Sequence, residues 1–165
     1  MNKVQLYGQD ILHSSTYQSQ RLFIQHGHVS VYEHCVNVAI MCLKIASVLP
    51  FQVNERALVR GALLHDYFLY DWHEPGHSWH GFTHPATALA NARKDYQLGA
   101  IEQDMIVKHM FPLTLSLPRY RESFIIVIAD TIVALMAGIA VIPAAVATYG
   151  PSAALSGPKL LFVTL

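Results

Sequence analysis

Charge is scarce in this sequence. Asp, Glu, Lys and Arg make up 13% of its 165 residues, and eleven basic side chains stand against eleven acidic ones. That balance leaves no basic field to hold nucleic acid by counterion release, which excludes a dedicated DNA or RNA binder. Cysteine is scarcer: Cys35 and Cys42 are the only two. Their spacing puts them near one face of a helix but makes neither a CxxC pair nor a disulfide framework. They read as buried, reduced thiols of a cytoplasmic protein. Met1 to Asp10 holds no continuous apolar stretch, so no secretory signal is expected. Strand-like alternation is rare, and no internal repeat is present. With 53% hydrophobic residues, disorder over most of the length is also excluded.

Two features stand out against this background. One is histidine, ten residues against eleven Lys plus Arg. Histidine is the commonest metal ligand and the usual proton shuttle near neutral pH. The other is an uncharged run of twenty residues from Thr131 to Gly150, after which Lys159 is the only charge. Its length would span a bilayer core of about 30 Å, yet its Ala, Val, Ile, Gly138 and Pro143 fit a buried helix and a loose tail as well. A span starting at Thr131 would hold Asp130 at its edge, so burial in a core or a homodimer interface is the expectation.

Helical periodicity dominates the rest. Ser30 reads as the N-cap of a helix reaching Leu49 and stopped by Pro50, with Val31, Cys35, Val38, Cys42 and Ile45 on its apolar stripe. Asn54 opens a second helix running to about Tyr70. The His-, Gly- and Pro-rich segment from Trp72 to Gly81 reads as a loop, and Thr83 with Pro85 marks a third helix ending near Tyr96. Ile101 to Met110 forms a fourth. Pro112 and Pro118 bracket a linker, and a long apolar helix beginning near Arg119 or Glu122 carries Asp130. The expected fold is all-α, a compact globular multi-helix domain over residues 1–142, followed by an Ala/Pro/Gly-rich apolar tail over 143–165.

On that map His34, the adjacent His65 and Asp66, His84, His109 and Asp130 all fall at ends or inner faces of helices that can point into one cleft. Imidazole and carboxylate together suit iron, manganese, zinc, cobalt or nickel without any thiolate. His65 and Asp66 project about 100° apart on a helix, so both reach one cluster only if it lies against the helix side. A carboxylate there can bridge two ions about 3.5–4 Å apart. Each residue alone has a plain structural role: His34 as a partly buried polar group, His84 at a helix start, His109 at a helix end favoured by the dipole. Asp130 is the hardest to account for that way. It sits between Phe124-Ile125-Ile126-Val127-Ile128-Ala129 and Thr131-Ile132-Val133-Ala134-Leu135. A carboxylate in such a run is costly to bury unless paired, hydrogen-bonded or metal-bound.

The ordered set His34, His65-Asp66, Asp130 resembles the signature of the HD-domain superfamily of metal-dependent phosphohydrolases. The words around it agree: Gln25-His26-Gly27, Ser30-Val31-Tyr32-Glu33-His34-Cys35, Arg60-Gly61-Ala62-Leu63-Leu64-His65-Asp66-Tyr67, Phe82-Thr83-His84-Pro85 and Lys108-His109-Met110-Phe111-Pro112. The resemblance spans about residues 21 to 130 and stops near Asp130, where an apolar run replaces the polar residues expected. His84 and His109 make the set look like that of the two-metal members. The resemblance implies one ion on His34, His65, Asp66 and Asp130 and another on His84 and His109, with Asp66 bridging and serving as the catalytic residue. It implies in-line attack by a metal-activated hydroxide on a phosphoester or phosphoanhydride of a small phosphorylated molecule, a nucleotide among the candidates. Proteins resembling myo-inositol oxygenase use a similar set to hold a diiron pair, so an oxygenase is the alternative, and a non-catalytic metal-binding module a further one. On the substrate side, Arg60 and Lys108 are candidate phosphate ligands, and Trp72 could stack a nucleobase beneath a loop that Gly76 and Gly81 allow to move.

Overall fold

A computed structural model of the chain describes residues 2–138. In chain order these form α1 (Lys3–Leu12), α2 (Ser15–Gln18), a 3-10 turn (Ser19–Leu22), β1 (Ile24–His26), β2 (Val29–Ser30), α3 (Val31–Val48), α4 (Glu55–Leu64), α5 (His80–Asp95), α6 (Ala100–Lys108) and α7 (Arg121–Gly138). The fold is all-α. Among the described residues its only sheet is the β1–β2 hairpin, which turns through Gly27 at φ 58°. A side chain disfavours that left-handed backbone, so glycine suits the tight turn. The expected tail over 143–165, most of the uncharged run and most of the expected dimer contact lie outside the described residues.

α3 forms where its sequence predicts. Ser30 Oγ accepts from the Glu33 backbone N–H, and the Glu33 carboxylate accepts from the Ser30 N–H, a reciprocal capping box that fixes the first turn. Leu49 leaves the helix in an extended conformation just before Pro50. α3 is long and apolar enough by composition to cross a membrane, but half of it is buried in this fold, as befits a core helix. It packs on α4 and α7, and α4 packs in turn on α1 and α6. Tyr32, Cys35, Val38 and Cys42 of α3 meet Leu58, Leu63 and Leu64 of α4 and Ile126 of α7 in one core.

Three boundaries differ from those expected of the sequence. α4 ends at Leu64 rather than near Tyr70, because the His65 ring Nδ1 takes the Ala62 carbonyl at 2.8 Å and the chain tightens, with Phe68 N–H donating to Asp66 O. A side chain competing for a helix carbonyl is a standard way to close a helix. α5 starts at His80, three residues before Thr83, so Pro85 lies within the helix instead of at its first position. α6 ends at Lys108, since His109 uses its ring on the Ile106 carbonyl. The N-terminal helix, the 3-10 turn and the hairpin carry no strong periodic signal and are additions to the predicted set.

α7 is anchored at its start. Asp104 of α6 accepts from the Arg119 N–H and the Ser123 hydroxyl, and Glu122 accepts from the Asn54 N–H at 2.6 Å. These ties join the beginnings of α4 and α7 to α6. They fix the rotation of α7 so that Ile126, Ala129 and Val133 face the core while Asp130 faces the site.

Candidate metal centre

All six predicted ligands converge. His34 comes from the first turns of α3, His65 and Asp66 from the tightened end of α4, His84 from α5, His109 from the end of α6 and Asp130 from α7. Every one except Asp130 is buried, and Asp130 is partly covered. Ending α4 at Leu64 solves the angular problem of two adjacent ligands. The turn swings Asp66 inward beside His65 rather than leaving it about 100° around a continuing helix.

The two oxygens of Asp66 face different partners. Oδ2 lies 3.7 Å from His34 Nε2 and 3.4 Å from His65 Nε2. Asp130 Oδ1 closes that half at 2.9 Å from His34 Nε2 and 3.7 Å from His65 Nε2. Oδ1 of Asp66 lies 3.2 Å from His84 Nε2 and 3.5 Å from His109 Nε2, and those two nitrogens are 2.8 Å apart. Ligand atoms about 2.0–2.1 Å from one zinc-sized ion stand about 2.9–3.4 Å apart, and the spacings here, 2.8–3.7 Å, bracket that range.

The donor chemistry points the same way. His65, His84 and His109 each place Nδ1 within 2.7–2.8 Å of a backbone carbonyl, of Ala62, His80 and Ile106 respectively. A ring that donates from Nδ1 presents an Nε2 lone pair. His84 and His109 therefore face each other through Nε2 across 2.8 Å, a separation satisfied by a proton shared between them or by a metal ion that both ligate. His65 Nε2 and Asp66 Oδ1 are buried without a hydrogen-bond partner. Orphaned buried polar atoms of this kind are costly unless something satisfies them. The residues present fit divalent ions.

Electrostatics sharpen the picture. Burial opposes charge on Asp66, but the imidazoles of His65, His84 and His109 overcome it and hold the carboxyl well below its ordinary range. Asp130 is likewise held low, against burial, by His34 and His65. His65 moves up: burial disfavours its cation, but Asp66 and Asp130 beside it prevail. His109 moves down to about 4, chiefly through burial, with the His65 charge adding to it.

A family model for the HD domain matches residues 31–135, more than half of the chain. The chain belongs to the HD domain family. HD domains are a family of metal-dependent phosphohydrolases that bind divalent metals, and in this one the matched stretch contains all six clustered side chains that could hold metal. No curated relative and no solved structure matches the chain.

The weaker substrate candidates separate. Trp72 lines a cavity of about 1120 Å³ that opens onto Asp66, His84, His109 and Asp130. Its ring is occupied by its own loop, stacked on His80 at 5.2 Å and tilted on His73 at 3.9 Å, which leaves little of it for a nucleobase. Arg60 does not reach the cavity. It is buried on the other side of α4, with Nη1 2.6 Å from Asp10 and a second contact to the Tyr7 carbonyl. Lys108 is also absent from the cavity lining and pairs with Asp104 at 2.7 Å. One residue of the HD site escapes sequence reasoning. Gln25 on β1 is buried and donates from Nε2 to Asp66 Oδ2 at 2.6 Å, while His26 lines the cavity and meets the His34 ring edge-on at 5.5 Å. The word Gln25-His26-Gly27 is the available signal, but a lone glutamine ahead of a hairpin suggests no chemistry by itself.

Proposed function

We propose that this HD domain is a phosphohydrolase that uses two divalent ions to hydrolyse a phosphoester or phosphoanhydride of a small molecule, with nucleotides among the candidates. The observation that carries the reading is the division of Asp66, one oxygen towards His34 and His65 and the other towards His84 and His109. In this reading His34, His65, Asp66 and Asp130 hold one ion, and Asp66, His84 and His109 the other. The mixed imidazole and carboxylate donors suit iron or manganese, with nickel, cobalt and zinc compatible. Bound ions supply Lewis acidity, which lowers the pKa of water towards neutrality and withdraws charge from the phosphoryl oxygens.

The chain's own groups do the positioning. Asp66 would be the catalytic residue, because its two oxygens face the two halves of the cluster and would hold an ion in each. Gln25 fixes the rotation of that carboxylate through its bond to Oδ2. The Nδ1 bonds of His65, His84 and His109 lock each ring with Nε2 inward, the outer support that metal-binding histidines generally require. The buried floor keeps bulk water away from these groups while the cavity admits substrate from above. A cytoplasmic setting fits this reading and the two buried free thiols.

The test is phosphate release from a panel of nucleotides and simple phosphate esters after anaerobic loading with Mn²⁺ or Fe²⁺. Metal-dependent release that disappears in Asp66→Ala supports the hydrolase. No release from any compound with the ions bound contradicts it, and oxygen uptake by the iron-loaded protein would then identify the oxygenase.

A further inference from the structure

The cavity above the six ligands is unusual for a phosphate site in what lines it. Among the described residues, no lysine and no arginine lines it. The candidates from the sequence are committed elsewhere, Arg60 to Asp10 and Lys108 to Asp104. Residues 139–165 contain one basic side chain, Lys159, so the sequence offers little further cationic charge. Three carboxylates do line the cavity: Asp66, Asp130 and Glu74 at the mouth. Two divalent ions would outweigh them by a single positive charge. A nucleoside triphosphate, with about four negative charges at neutral pH, would bring its phosphates into a cavity with no Lys or Arg to meet them, beside an acidic Glu74. Polyphosphate sites ordinarily supply Lys or Arg for this purpose.

The opposite wall is apolar. Met110, Phe111, Pro112 and Leu113 follow α6, and Ala134 and Leu135 come from the end of α7. Leu113 is 51% exposed and Leu135 62% exposed although both line the cavity, so the wall presents uncovered apolar surface to whatever enters. Apolar surface of this kind is favourably covered by an apolar ligand group. Four further histidines line the cavity, of which His80 is engaged by the Tyr70 hydroxyl and His73 by Asp71, while two unpartnered polar atoms beside them are neutral. The Trp72 indole N–H and the Gln25 side-chain carbonyl belong to lining residues, are buried, and have no hydrogen-bond partner. A neutral donor such as the indole suits one phosphoryl group held by ions, not a chain of them.

We infer that the substrate is a phosphomonoester of an apolar or aromatic alcohol, with its organic part against Phe111, Leu113 and Leu135, and that nucleoside di- and triphosphates, with no Lys or Arg to meet them, are the poorer substrates. The inference rests on the hydrolase reading given above. The reaction is balanced by water alone. The water oxygen forms a bond to phosphorus, the ester P–O bond breaks with its electrons leaving on the alcohol oxygen, and the proton lost by the water ends on that oxygen, giving the free alcohol and phosphate.

Binding and turnover test it separately, on the full chain loaded with Mn²⁺. Binding is read by calorimetry with 1-naphthylmethylphosphonate, which is not hydrolysed, against methylphosphonate and ATP. Turnover is read as kcat/KM on 1-naphthyl phosphate, glycerol 3-phosphate and ATP. The expected result is at least tenfold preference for the naphthyl compound in both assays. Leu113→Ser with Leu135→Ser should reduce that preference several-fold in both assays. Equal binding of the two phosphonates, or a preference for ATP, overturns the inference while leaving the hydrolase reading intact. Selective naphthyl binding with no phosphate release from any ester overturns the hydrolase reading, and the ester as substrate with it.

Discussion

At the scale of single residues, the group that each ligand faces decides its role. His84 touches only the Oδ1 side of Asp66, so His84→Ala should remove one ion and leave the other; metal content per folded chain, measured by mass spectrometry, checks this directly. Gln25 holds Asp66 from outside the ligand set, and Gln25→Leu should weaken metal affinity about tenfold without unfolding the protein, as loss of a supporting hydrogen bond commonly does. Arg60 makes the opposite prediction. It is buried and paired with Asp10 away from the cavity, so Arg60→Ala should destabilise the fold by about 1–3 kcal/mol in thermal unfolding and leave metal content unchanged. Protonation gives a further check. Asp66 and Asp130 raise the pKa of His65, so without an ion the ring keeps a proton near neutral pH. Metal uptake must displace that proton. Affinity should therefore rise with pH, and calorimetry at pH 7 should show proton release as a dependence on the ionisation heat of the buffer. The ligands are legible in the sequence because a carboxylate such as Asp130 inside an apolar run is too costly to keep without a partner or an ion. Gln25 is not, because its importance comes from a contact across 41 positions of chain.

At the scale of elements, caps and close approaches bring the ligands into register. The Ser30–Glu33 capping box starts α3 one turn before His34. Ser30→Ala should cost about 1 kcal/mol and lower the melting temperature by a few degrees in calorimetry. Gly61 of α4 lets α6 approach, since a Cβ there would fall 2.5 Å from Met105 Sδ and 3.1 Å from its Cβ. That approach holds the His65 and His109 rings 4.8 Å apart. The element boundaries show where local sequence signals give out. Ser30 and Pro50 mark α3 well because both ends carry local chemistry. The end of α4 is hidden because the agent that closes it, a histidine ring bonding a carbonyl three residues back, looks in sequence like any other helical residue. The start of α5 is hidden because Pro85 resembles a first-turn proline, while the chain begins winding at His80.

At the scale of the whole molecule, five of the seven helices among the described residues contribute to one buried cluster, and α1 covers the far side of α4. The all-α class follows from periodicity alone, since strand-like alternation is nearly absent. The separation of substrate residues from structural ones does not, because whether Arg60 and Lys108 face the cavity depends on packing between helices distant in sequence. A fold organised around the cluster should be stabilised by the ions it binds, by an amount that grows with the logarithm of metal concentration. The most direct test of the central claim is the metal content of wild type, His84→Ala and Asp66→Ala after anaerobic loading, with circular dichroism confirming the fold of each. Two ions, one ion and none is the predicted series. One ion in wild type with no loss in His84→Ala would contradict the shared role of Asp66.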